Sequence, residues 1–282
     1  MPPYGLRSDP RVAVLDHCPQ APLRLYCFPP AGQGAEFYVP WRELLAPVAE
    51  LCSFHLPGRG RFADAPSHTD AHLLAGRLAA AVRAQDDERP VALFGHSAGA
   101  LLAYETGQAL HRGGRPPLLL AASAMSAPHS GTARRTFGQL IAQGQASVSS
   151  LLPLLPGHSP HAANPDPGAF AAAWTPLLAD ILLVLQHRFR DEPAPPYDLV
   201  VYGGDRDSVA PPHELAAWCD LVPLAPPPVL FPGGHMYLLE QPDAFCARLR
   251  DDLRCAAHRV PTERRHESAP GPSEARRPSD CR

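Results

Sequence analysis

An α/β fold with a mostly parallel, doubly wound central sheet is what this sequence predicts, and three observations predict it. Six short runs, LRLYCF (23–28), ELCSFHL (50–56), VALFG (91–95), LLLAAS (118–123), DLVVYGG (198–204) and PPVLFPGG (227–234), are almost continuously apolar and are bounded by Gly or Pro. Strands buried on both faces of a parallel sheet read this way. Amphipathic stretches of helical spacing lie between the runs, and strand alternating with helix is the signature of a doubly wound sheet. The chain has 282 residues, of which 45% are apolar, enough to bury one large core.

Taken in order, the N-terminal MPPYGLRSDPRVAVLDHCP lacks a charged segment followed by an apolar one, so it does not read as a secretory signal. HLLAGRLAAAVRA (72–84) places Leu73, Leu74, Leu78 and Val82 at helical spacing. A second helix is predicted over Ala98–Arg112, ended by Gly113-Gly114, a C-cap signal. Positions 126–196 break the alternation: GQLIAQGQASVSSLLPLLPG and FAAAWTPLLADILLVLQHRF carry no strand signal and read as a helical insertion that covers a site, a lid. From residue 257 the chain is polar, charged and Pro-rich, the composition of a disordered tail. The expected organisation is one domain over 1–256 with a tail over 257–282.

Composition removes several classes of function. Net charge is −3 with both signs interspersed, so there is no nucleic-acid face; every basic residue apart from His is Arg. No run of about 18 apolar residues is present, so no membrane span is expected. The seven cysteines are odd in number and irregular in spacing, and no CxxC pair occurs, which makes zinc and redox readings weak. A reducing, cytoplasmic setting is expected. His187 and His213, on helical stretches, read as ordinary surface residues.

The chemistry is concentrated at VALFGHSAGA (91–100). A predicted strand runs into Gly95-His96-Ser97-Ala98-Gly99 and a predicted helix follows, the context of a nucleophile elbow. The tight turn leaves room only for glycine at 95 and 99, exposes Ser97 at the C-terminal edge of the sheet and brings the Ala98 N–H beside the reacting carbonyl. A serine hydroxyl needs a base to take its proton. In elbow proteins acid and base follow the serine in that order, and here GGDRDS (203–208) and GGH (233–235) follow predicted strands. His235 is the expected base. Asp205 and Asp207 both lie in the acid loop; in hydrolases of this fold the acid falls third after the glycine that closes the strand, which favours Asp207. His96 should face away from Ser97 and pack. The second oxyanion donor should come from FPPAGQGAEF (28–37), through the backbone N–H of Ala31 or alternatively of Gly32.

These stretches together resemble the type II thioesterases, free-standing α/β-hydrolases that accompany polyketide synthases and non-ribosomal peptide synthetases. LRLYCFPPAGQGAEFYVPW (23–41), LPGRGRF (56–62), VALFGHSAGALLAYE (91–105), YGGDRDSV (202–209) and FPGGHMYLLE (231–240) carry the likeness, in the family's order, over about residues 20–250. Pro30 stands where the family often has His, Ala98 where it often has Met, and Ser208 where it usually has Pro; none of these removes a catalytic atom. The resemblance implies an α/β-hydrolase fold and hydrolysis of acyl groups held as thioesters on the 4′-phosphopantetheine arm of acyl or peptidyl carrier domains. It implies a triad of Ser97, Asp207 and His235, no metal or cofactor, and a monomer. Carrier proteins are typically acidic, so Arg59, Arg61, Arg188 and Arg190 are candidate contacts. Two other readings share the residues: a carboxylesterase acting on oxoesters, and a binding protein on a silent hydrolase fold.

Overall fold

The computed structural model describes residues 9–85, 88–142, 167–222 and 225–259. Seven strands form one sheet: β1 (Arg11–Val14), β2 (Arg24–Phe28), β3 (Glu50–His55), β4 (Val91–His96), β5 (Leu119–Ser123), β6 (Asp198–Gly204) and β7 (Val229–Phe231), in the spatial order β1-β3-β2-β4-β5-β6-β7. All neighbours are parallel except β1, which pairs antiparallel with β3. The six apolar runs become the six parallel strands. β1 has no counterpart among them because it is a four-residue edge strand that opens on Arg11, too short an apolar run to stand out; Val14 on it is 43% exposed.

Alternate residues of each strand feed opposite faces. Tyr26, Leu93, Leu199 and Val201 join one core cluster with Leu74, Leu78, Leu102 and Leu183. Leu25, Phe94, Val200 and Tyr202 join the other with Tyr38, Trp41, Phe245 and Leu249. Both faces are therefore dry, which explains runs without polar alternation.

Among the described residues, five helices of more than two turns accompany the sheet: α1 (Ala71–Arg83), α2 (Ala98–Arg112), α3 (Thr132–Ala142), α4 (Pro167–Gln186) and α5 (Pro242–His258). The Asp70 carboxylate caps α1 by accepting from the Leu73 N–H at 3.0 Å. Leu74, Leu78 and Val82 face inward as expected, but Leu73 is 51% exposed: the inward stripe is completed by Ala71, Ala75 and Ala79. The α2 helix ends where predicted, with Gly114 in the left-handed conformation at φ +76°.

Between β5 and β6, the described part of the 126–196 insertion holds a 3₁₀ turn (Pro128–Ser130), α3 and α4, and no strand among the described residues. Residues 143–166 lie outside them. The tail expected from 257 begins inside α5, which runs to His258; 260–282 are again outside the described residues.

Candidate active site

The strand-to-helix turn at Ser97 is as tight as the sequence implied. Ser97 sits at φ 55°, ψ −127°, between β4 and α2, a conformation costly for a residue with a Cβ and held here by its surroundings. Its N–H donates to the Ser123 carbonyl at 2.8 Å. A Cβ on Gly95 would lie 2.1 Å from the Gly99 carbonyl oxygen, and one on Gly99 would lie 2.2 Å from that of Phe28. Both glycines are thus imposed by packing of α2 against β4 and β2.

The two downstream loops return to this edge. His235 Nε2 is 3.0 Å from Ser97 Oγ, and its Nδ1 is 2.8 Å from Asp207 Oδ2. The other carboxylate oxygen, Asp207 Oδ1, accepts from the N–H groups of Val209 and Ala210 at 2.8 and 3.0 Å. The Asp207 side chain is wholly enclosed, and both of its oxygens have a hydrogen-bond partner. Asp205 does something else: its Oδ1 accepts from the Gly233 N–H at 2.9 Å and ties the two loops together. The structure therefore brings Asp207, and not Asp205, to the imidazole.

His96 points away from Ser97, into the core, where it is fully buried. Its Nδ1 lies 2.8 Å from Ser123 Oγ, which in turn lies 2.6 Å from the Tyr237 hydroxyl. Burial, and then the neighbouring His235, push the His96 imidazole well below its ordinary range. It is a neutral ring packed behind His235, tilted 44° to it with centroids 5.2 Å apart.

The serine is less open than an elbow alone suggests. Ser97 is only 6% exposed. It shares a cavity of about 10 Å³, room for about one water molecule, with Pro30, Ala31, Leu177, Ile181, His235 and Met236. Leu177 and Ile181 come from α4, so the insertion does reach Ser97.

One residue of the insertion escaped the sequence reading. Asp180 accepts two hydrogen bonds from the Arg59 guanidinium, at 2.7 and 2.8 Å, and a third from the Gly32 N–H at 2.8 Å. Arg59 also donates to the Gln33 carbonyl. One carboxylate thus joins α4, the loop after β2 and the loop after β3. The signal was present: Asp180 is the lone acid in FAAAWTPLLADILLVLQHRF, where an unpaired charge would be expensive. Two expectations change as a result. The Gly32 N–H is committed to Asp180, while Ala31 lines the cavity with Ser97. Arg59, its side chain 8% exposed and paired, is not a surface contact, whereas Arg61, Arg188 and Arg190 are exposed.

His187 also departs from expectation. It follows α4, its side chain is 6% exposed, and its Nε2 lies 2.8 Å from Glu105 Oε1. His213 is exposed, as expected.

A parallel sheet carrying serine, acid and histidine in that chain order on its C-terminal edge defines an α/β-hydrolase. A family model described as a thioesterase domain matches residues 23–253, and the chain belongs to that family. Among solved structures it is similar to BorB, a type II thioesterase from the borrelidin biosynthetic cluster, with 30% identity, a TM-score of 0.71, and coverage of 86% of this chain and 98% of that one. It is also similar to RedJ, a thioesterase from the prodiginine pathway of Streptomyces coelicolor, with 28% identity, a TM-score of 0.73, and coverage of 84% and 88%. The medium-chain S-acyl fatty acid synthase thioesterase of Homo sapiens is 26% identical over 242 residues, 84% of this chain and 89% of the relative. No helix among the described residues is long and apolar enough to cross a membrane.

Proposed function

We propose that this thioesterase hydrolyses acyl groups from the phosphopantetheine arm of carrier proteins, clearing stalled or aberrant chains in polyketide or non-ribosomal peptide assembly. The observation that carries the reaction is the unbroken line Ser97 Oγ–His235 Nε2, His235 Nδ1–Asp207 Oδ2, at 3.0 and 2.8 Å. The similarity to BorB and RedJ supports the setting.

In this reading His235 Nε2 takes the Ser97 proton as Oγ attacks the thioester carbonyl carbon. Asp207 holds the Nδ1–H tautomer and stabilises the imidazolium. The carbonyl oxygen becomes an oxyanion facing the N–H groups of Ala31 and Ala98. The C–S bond breaks, the thiolate leaves with a proton from His235, and a water activated by the same imidazole releases the acid and regenerates Ser97. A thiolate leaves readily, so attack and oxyanion stabilisation carry most of the barrier.

A cavity of about 10 Å³ does not hold an acyl-pantetheine arm. The 126–196 insertion is therefore a lid in this reading, and Leu177 and Ile181 move aside when the arm enters. The acidic carrier docks beside it, with Arg61, Arg188 and Arg190 as its contacts. The working setting is a monomer in the reducing cytoplasm. That compartment suits Cys27 and Cys246, free thiols that burial pushes upward, Cys246 to about 12.

The test is intact-mass spectrometry of an acyl-loaded carrier protein with wild type and Ser97→Ala. Loss of the acyl mass with wild type alone is expected. An oxoester cleaved faster than its matched thioester, with carrier-bound acyl untouched, would move the assignment to a carboxylesterase. Failure of Ser97 to react with a fluorophosphonate would move it to a silent binding protein.

A further inference from the structure

Away from Ser97, three metal-ligating side chains from three separate elements converge on one point. Glu105 lies on α2, about two turns beyond the elbow, and is 4% exposed. His72 lies in the first turn of α1, and His187 follows the last residue of α4. His72 Nδ1 is 2.9 Å from Glu105 Oε2, His187 Nε2 is 2.8 Å from Glu105 Oε1, and the offered ligand atoms all lie within 4.8 Å of one another. The two imidazoles are 5.1 Å apart, centroid to centroid.

The hydrogen-bond bookkeeping of His72 singles this cluster out. Its Nε2 lies 2.9 Å from the backbone carbonyl of Arg188. A carbonyl only accepts, so Nε2 carries the hydrogen and donates. In the neutral ring, Nδ1 then presents a lone pair straight at a carboxylate oxygen. Two acceptors at that distance need a proton or a metal cation between them. An imidazole whose far nitrogen donates to a backbone carbonyl, with its near nitrogen aimed at a shared point, is how protein-bound metals orient their histidines. We infer that His72, Glu105 and His187 bind a divalent transition metal, zinc in the first instance. Two imidazoles and one carboxylate suit zinc, with water completing four-coordination. His72 gives solvent access, its side chain being 17% exposed. His187 also lines a separate cavity of about 140 Å³ with Leu101, Val184 and Phe189.

The metal would act as a clip. It would join α1, the helix that begins at the nucleophile, and the C-terminal end of the helix that supplies Leu177 and Ile181. Occupancy would hold that cover down without touching the reacting atoms. Sequence spacing does not disclose the site, because the ligands lie at 72, 105 and 187 and form no local motif.

The test is zinc titration of the metal-free full-length protein against a chromogenic chelator, with His72→Ala, His187→Ala and Ser97→Ala beside wild type. One zinc per chain is expected for wild type and Ser97→Ala, with affinity at least about 100-fold weaker in each histidine variant, since losing a ligand costs more than the 10- to 100-fold of losing a partner behind one. Zinc should also raise the melting temperature of wild type, and not that of the histidine variants. Equal affinity in wild type and both histidine variants, or no binding by wild type, would overturn the site and leave a cluster that holds only protons. Should a histidine variant fail to fold, cobalt decides on wild type alone. A d–d spectrum of nitrogen and oxygen ligands is expected. Thiolate charge transfer, or no spectrum, would refute the assignment.

Discussion

The two sides of the Ser97 cavity are built by different physics. On the sheet side, backbone places the chemistry. Ser97 N–H reaches the Ser123 carbonyl, and the Asp205 and Arg206 N–H groups reach the Phe231 and Gly233 carbonyls at 2.8 and 2.9 Å. On the cover side, one carboxylate does the placing: α4 is fastened over the cavity through Asp180, held by the Arg59 guanidinium and the Gly32 N–H. A backbone ladder survives most substitutions and fixes atoms to a fraction of an ångström. A few charged contacts between chain segments more than a hundred residues apart can be undone one at a time. The geometry at Ser97 thus rests on backbone hydrogen bonds, and the cover over it rests on a few side-chain contacts.

The largest effect should come from the sheet side. Ser97→Ala is expected to lower kcat on acyl-carrier substrates by about 10⁴-fold or more while the protein stays folded by circular dichroism, since the members of a triad act as one unit. Activity within tenfold of wild type would end the nucleophile assignment. The next largest effect separates the two aspartates of one loop. Asp207→Asn should cost about 10²- to 10⁴-fold in kcat by presenting the wrong donor to His235, whereas Asp205→Ala should stay within about tenfold, the loss of one loop hydrogen bond. Steady-state kinetics showing the reverse order would reassign the acid.

The cover side should answer in stability. Arg59→Met leaves the Asp180 carboxylate buried without its partner and should cost about 3–5 kcal/mol in urea denaturation. Arg59→Met combined with Asp180→Leu should recover much of that loss, because the stranded charge is gone. A single substitution within about 0.5 kcal/mol of wild type would show that the pair does not fasten α4.

The smallest effect concerns His96, behind the imidazole. Its folded pKa lies below the ordinary 6.5, first through burial and then through His235. The unfolded chain therefore binds more protons than the folded chain below about pH 6.5. Stability contributed by the neutral ring is present above that pH and declines as pH falls, by up to about 1.4 kcal/mol per pH unit. His96→Gln should flatten the melting temperature between pH 7 and 5 relative to wild type. Parallel curves would show that His96 does not carry this dependence.

Much of this was legible before any coordinates. Strands buried on both faces must be apolar throughout, so six of the seven could be read directly. β1 could not, because RVAV is an edge with one face open to solvent. Gly95 and Gly99 announced the elbow because only a missing Cβ lets α2 approach β4 and β2 so closely. The order of serine, acid and histidine followed from the fold that the elbow implies. The choice between Asp205 and Asp207 needed coordinates to become geometric: both face the right edge, and only the turn at Val209 and Ala210 directs one of them to the imidazole.

Local chemistry and its period are written in consecutive residues, so the class of fold, the elbow at Ser97 and the loops that return to it were readable from the chain alone. Tertiary structure alone decided how those loops are covered and braced. Arg59 pairs with Asp180, and His72 and His187 flank Glu105, across separations at which neighbouring residues carry no information about one another. An arginine in a Gly-rich loop and a histidine after a helix look solvated until packing removes the water. The low dielectric around them then turns ordinary surface-type residues into the contacts that hold the cover over Ser97.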